Sequence, residues 1–176
     1  MGYLIESECD RRMAAVRKIL EEKNLDLALI YYDEFNIGNG WYLTGWCPQF
    51  ESGAVLVPRK GNPLLLGGPE SEPFAKQDSA VKDTRNFPVF MVPDEEYPAA
   101  TILDFPHLFA ELNRNLGSVK RIGIVGGDRM PFGCHKGIAD GFVGVEMVDI
   151  TSEFLRLRYY KSSWEIEQIR AAFQLA

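Results

Sequence analysis

MAAVRKILEEKNLDLALIYY, residues 13–32, decides the fold class. Met13, Val16, Ile19 and Leu20 recur at three- and four-residue spacing, which lays one apolar stripe along a helix. Ser7 stands where an N-cap belongs and Asn24 where a C-cap belongs, so the helix spans about residues 7–23. DLALIYY (26–32) follows at once as an unbroken apolar run of strand length, the pattern of a strand covered on both faces. A helix feeding directly into a doubly covered strand predicts a layered α/β chain.

Outward from that pair the alternation continues. DEFNIGNG (33–40) is polar and glycine-rich and reads as a loop at the strand's end. GAVLVP (53–58), RKGN and PLLLGG (63–68) read as a β-hairpin turning at Lys60-Gly61-Asn62. Pro69 and Glu70 open a helix to about Asp78, AVKDTRNF (80–87) is a weaker strand, and the proline-rich, acidic stretch 87–98 reads as a surface loop. Asp104 caps a helix to Asn115 with Gly117 as its stop; KRIGIVG (120–126) is a strand, residues 130–142 a short interrupted helix and VEMVDI (145–150) a strand. The sum is a mixed sheet with helices on both faces. Ser162 and Glu165 then form a capping box, and Ile166, Ile169 and Phe173 give the helix behind it an apolar stripe with no stop signal before Ala176.

Composition excludes several functions. With 46% hydrophobic and 25% charged residues the chain is of ordinary globular make-up, and its apolar runs are too short to span a bilayer. Its start carries acidic residues instead of the positive region of a secretion signal, so the expected location is cytoplasmic, with no membrane partner. A net charge of −6 with dispersed basic residues argues against nucleic acid as a partner. Cys9, Cys47 and Cys134 lack CxxC spacing and read as reduced thiols, and His107 and His135 lack the partners a metal site requires. GIVGGDRM does not complete a phosphate-binding glycine pattern and reads as a turn. The residues by themselves supply no catalytic set and no metal or cofactor site. What stands out is GWYLTGWCPQFE (40–51): Trp46, Phe50 and Glu51 offer an apolar wall and a charge able to meet an amine or guanidine, with a solvated loop as the alternative.

The order of RRMAAVRKILEEKNLDLALI, NGWYLTGW, GAVLVPRKGNPLLLGG, RIGIVGGD and MVDITSEFLRLRYYKSSWEIEQIRAA resembles, across nearly the whole chain, the N-terminal domain of the creatinase/prolidase (pita-bread) family of Xaa-Pro dipeptidases, aminopeptidases P and creatinases. Tyr42-Leu43-Thr44-Gly45 and Lys161-Ser162 with Glu165 to Arg170 are its most telling pieces. The resemblance implies a ribonuclease-H-like fold over residues 1–160, and makes 161–176 the first helix of a catalytic domain that lies beyond this chain. That domain would hold two divalent metal ions (Mn, Co or Zn) and no metal would bind in residues 1–176. It further implies a homodimer in which this domain closes the partner's active site over short proline-containing peptides, with Trp46 and Phe50 as a hydrophobic wall and Glu51 as a polar contact. Two glycines and Trp41 in NIGNGWYLTGW depart from the family's usual NIRYLTGF and leave the local geometry open. A creatinase-like amidinohydrolase and a non-catalytic peptide-binding relative are the alternative whole proteins.

Overall fold

The computed structural model describes residues 4–48, 50–94 and 96–175. Part of the N-terminal signal reading, Glu95 of the acidic loop and the final Ala176 therefore lie outside the described residues. Helix α1 (Glu6–Glu22) leads into β1 (Leu27–Tyr32), followed by α2 (Ile37–Thr44), the hairpin β2 (Gly53–Pro58) and β3 (Leu64–Gly67), α3 (Glu72–Asp78) and β4 (Thr84–Asn86). Then come α4 (Phe105–Leu116), β5 (Arg121–Val125), α5 (Phe132–Gly141), β6 (Glu146–Asp149), α6 (Thr151–Leu157) and α7 (Ser163–Leu175).

The strands form one six-stranded sheet in the order β4-β3-β2-β1-β5-β6. β1 runs antiparallel to β2, from Leu27 opposite Pro58 to Tyr32 opposite Gly53, and parallel to β5. Its side chains alternate between two separate cores, because successive residues of a strand point to opposite faces. Leu27, Leu29 and Tyr31 pack with Leu108 and Leu112 of α4 and Ile138 of α5, whereas Ala28, Ile30 and Tyr32 pack with Val16 and Leu20 of α1, Leu43 of α2 and Phe154 of α6. All six β1 residues are buried, which explains the unbroken apolar run and confirms a mixed sheet with helices on both faces.

Several local expectations are corrected. α1 starts two residues earlier than Ser7 as N-cap suggests, with Ile5 at the cap position and no side-chain cap; Asn24 does mark its end, in the left-handed conformation (φ 52°) just beyond the C-cap Lys23. α3 begins at Glu72 with Pro73 in its first turn, not at Pro69, and the weaker strand shrinks to Thr84–Asn86. The supposed surface loop 87–98 opens with two core residues: Phe87 and Phe90 are 0% and 1% exposed, and Phe87 stacks on Phe105 at 4.7 Å between ring centroids. Asp104 does cap α4, accepting from the backbone N–H of His107 at 2.8 Å.

The largest correction falls on residues 33–40, whose second half is helical. Two glycines disfavour a helix by roughly 1 kcal/mol each relative to alanine, and tertiary packing overrides that preference. A Cβ on Gly40 would come within 2.8 Å of the Tyr32 ring, so this glycine lets α2 lie directly on β1. A Cβ on Gly38 meets only the Arg158 guanidinium, which can swing aside. We expect Gly40→Ala to destabilise by about 1–3 kcal/mol through overpacking. Gly38→Ala, gaining helix propensity, should be neutral or stabilising by up to ~1 kcal/mol. Urea denaturation of the two variants reads the difference, and equal losses would refute this account of α2.

Candidate functional site

The parallel strands β1, β3, β4, β5 and β6 end, and the antiparallel β2 begins, at one edge of the sheet. The loops that follow β1 and β3 and the loop that precedes β2 therefore meet there. Tyr42 and Leu43 are core residues, 6% and 0% exposed, and Thr44 closes α2 with its hydroxyl against the Gly40 and Trp46 carbonyls at 2.8 and 2.7 Å. Gly45 takes the left-handed conformation (φ 66°) that ends the helix, and a Cβ there would strike Leu4 at 2.7 Å. The Tyr-Leu-Thr-Gly motif is thus a helix terminus, and it turns Trp46 into the loop beside the sheet.

Trp46, Phe50 and Glu51 do come together, around an open cavity of about 350 Å³. Their situations differ. Trp46 is half-buried, Phe50 is 77% exposed, and Glu51 is only 4% exposed. Glu51 Oε2 accepts from the Ser71 backbone N–H at 2.9 Å and from the Ser71 hydroxyl, which braces the turn between β3 and α3. Its Oε1 is buried with no hydrogen-bond partner among the described residues, pressed against Gly68, where a Cβ would come within 1.7 Å of it. Behind it the Tyr32 hydroxyl is likewise buried with no partner among the described residues, and burial, reinforced by Cys47 and Glu51, holds its phenol well above the usual range. Burial, with Asp33 adding to it, pushes the Cys47 thiol up to about 12, so it stays protonated near neutrality and is no nucleophile.

The opposite wall is one that sequence reasoning did not find. Glu70 from the turn before α3, and Phe74 and Asp78 from α3 itself, line the cavity, with Phe74 62% exposed. The four-residue spacing of Phe74 and Asp78 was the available signal, since it puts the two on one side of α3. Among the described residues no basic one lines the cavity. His107 is not part of the cavity lining; it is 78% exposed and paired to Asp104 through Nδ1 at 2.6 Å. Among the described residues no three His, Cys, Asp or Glu side chains converge to hold a metal ion, and no helix is long and apolar enough to cross a membrane.

The fold is shared with solved peptidases. A dipeptidase from Mycobacterium ulcerans matches with a TM-score of 0.65 at 21% identity, over 94% of this chain and 40% of that one. The prolidase from Pyrococcus horikoshii matches at 0.63 and 16% identity, over 89% of this chain and 37% of its own, so the present chain spans well under half of that protein's length. A Streptococcus pyogenes Xaa-Pro aminopeptidase structure matches at 0.60 and 16% identity, over 88% of this chain and the whole of the other. No curated protein matches the sequence. The Creatinase/Prolidase N-terminal domain model matches residues 12–160, which contain every strand of the sheet, and the chain belongs to that family.

Proposed function

We propose that this chain is the non-catalytic N-terminal domain of a metal-dependent Xaa-Pro dipeptidase or aminopeptidase, supporting a homodimer and closing the partner's active site over short proline-containing peptides. The reading draws on the family and on structural relatives whose names are prolidase, dipeptidase and Xaa-Pro aminopeptidase. The observation that carries it is the sheet edge where Trp46, Phe50 and Phe74 wall an open cavity and the latter two stand 77% and 62% exposed. Solvent-facing aromatics around a concavity mark a surface that meets something apolar. Trp46 and Phe50 supply a hydrophobic wall, and Glu51 holds the wall's turn in place through Ser71.

The catalytic groups belong elsewhere. The described residues do not fit a metal pair, so metal chemistry would be supplied by a domain that α7 begins. α7 supports this: none of its described residues is buried, and Ile166, Ile169 and Phe173 of its apolar stripe are 39%, 43% and 79% exposed. A stripe left in water in one domain is the face another domain packs against.

The test is kinetic. In a chain continued into its catalytic region, Trp46→Ala should raise KM for Xaa-Pro dipeptides by roughly tenfold, about 1.4 kcal/mol of binding, with kcat changed less than about twofold. An unchanged KM would remove Trp46 from the substrate wall.

A further inference from the structure

The first turn of α7 is tied to the sheet domain by a buried charge network. Arg12 of α1, with a side chain only 5% exposed, donates through Nε to Glu8 Oε1 at 3.0 Å and through Nη1 to the Tyr42 carbonyl at 2.6 Å. Its Nη2 lies 3.2 Å from Oε1 of Glu165 in α7. Glu8, also 4% exposed, accepts in addition from the Ser162 hydroxyl at 3.1 Å, and Arg11 Nη2 pairs with it at 2.6 Å. Ser162 and Glu165 close the circle: the Glu165 N–H donates to Ser162 Oγ at 3.1 Å and the Ser162 N–H to Glu165 Oε2 at 2.7 Å. The Arg12 guanidinium stands 4.4 Å from the Tyr42 ring centroid and 5.6 Å from that of Trp164. Two arginines thus face two glutamates. Burial raises the Glu8 carboxyl, and the bonds from Arg11 and Arg12 outweigh it and leave the group below its ordinary range.

We propose that Arg12 is a positioning residue that sets the direction in which α7 leaves the sheet domain. Apolar contact between two helices tolerates sliding and rotation, and α7 has no buried residue to supply even that. A planar guanidinium with fixed donors reaches α1, the end of α2 and α7 in one arrangement only, which a point-charge ammonium cannot reproduce. Ion pairs taken out of water add little net stability compared with apolar packing; what such a network contributes here is a unique geometry. The capping box belongs to the same device, because Glu165 serves α7 with one oxygen and Arg12 with the other. The orientation of α7 is therefore encoded in α1, more than a hundred residues earlier in the chain. Its consequence for catalysis rests on the function proposed above: α7 would carry the reacting groups into a fixed relation with the Trp46 edge.

The direction can be measured on the 176-residue chain. Spin labels at Lys18→Cys and Arg170→Cys, with the native cysteines replaced, should give one narrow distance in the parent. Arg12→Lys, which keeps the charge, should broaden it. Hydrogen exchange at the first amides of α7, from Ile166 onward, should at the same time speed up by roughly tenfold or more while β1 and β5 amides keep their protection. Glu165→Gln, made at the edge of the body, can still cap α7 and leaves the sheet intact; it should broaden the distance as well and accelerate exchange several-fold. If Arg12→Lys also exposes the sheet, Glu165→Gln decides. A narrow distance in both variants, or α7 protection lost only together with that of the sheet, overturns the proposal without touching the role of Trp46.

Discussion

Phe105→Ala is expected to destabilise the chain by about 3–5 kcal/mol, the range for removing a large buried aromatic ring. Phe105 opens α4 and is 4% exposed. It stacks on Phe87 at 4.7 Å, meets Phe90 edge-on at 6.3 Å and packs on Phe142 of the segment after α5 at 6.3 Å. One ring thus joins the segment after β4, α4 and α5 into a single layer. Close contact at Gly141, where a Cβ would come within 2.9 Å of the Phe105 backbone, keeps the two helices from collapsing into the space left behind, so the void persists and the loss falls in the upper part of the range. Against a total of roughly 5–15 kcal/mol for a domain of this kind, that leaves little. Urea denaturation should show the midpoint falling with an unchanged slope. A loss below about 1 kcal/mol would mean that this layer repacks freely.

Gly53→Ala should reach about 3 kcal/mol, the upper end of overpacking losses, although it adds a single methyl group. The new Cβ would lie 2.5 Å from the Leu66 carbonyl oxygen and 2.5 Å from the Tyr32 hydroxyl. The first is backbone of the paired strand and cannot turn away. The second is a ring fixed under α2 by the same close approach that Gly40 allows. β2 must therefore shift against β3 at its first residue, two positions after Glu51, and the cavity wall moves with it. Gly133→Ala, which meets nothing within 4 Å, is the control and should be neutral or stabilising by up to ~1 kcal/mol. Comparable losses at both positions would show that crowding at Gly53 is not the cause.

The main outline of the sheet is legible in the sequence wherever burial and period agree. β1 and the β2–β3 hairpin fall within a residue or so of their expected limits because strands covered on both faces must be apolar throughout. The capping box at Ser162 and the cap at Asp104 form as read, since each is a local bond between named groups. α2 is illegible for the opposite reason: its glycines argue against a helix, and only the Tyr32 ring beneath Gly40 explains why that one is there. Phe87 and Phe90 misled because prolines and acids around them signal a loop, while the core they enter is assembled from residues far along the chain. At the candidate site, the wall carried by Trp46 and Phe50 was visible as aromatics beside glycines. The burial of Glu51 was not, because Ser71, its partner, is twenty residues away. Nor did the arginines of α1 announce themselves. Charges of both signs along α1 have the pattern of a solvated face, and Arg12 is distinguished from Arg11 only by what α2 and α7 place over it.

The most direct test of the proposed function takes the reading frame past residue 176 and assays the product on Xaa-Pro dipeptides, Xaa-Pro-Xaa tripeptides and creatine, with and without added Mn²⁺, Co²⁺ or Zn²⁺, beside the 176-residue chain alone. The account predicts metal-dependent cleavage at the Xaa-Pro bond by the longer chain and none by the shorter one. Cleavage of creatine alone, or no turnover with any metal, would contradict it and transfer the domain to an amidinohydrolase or to a protein that only binds peptides.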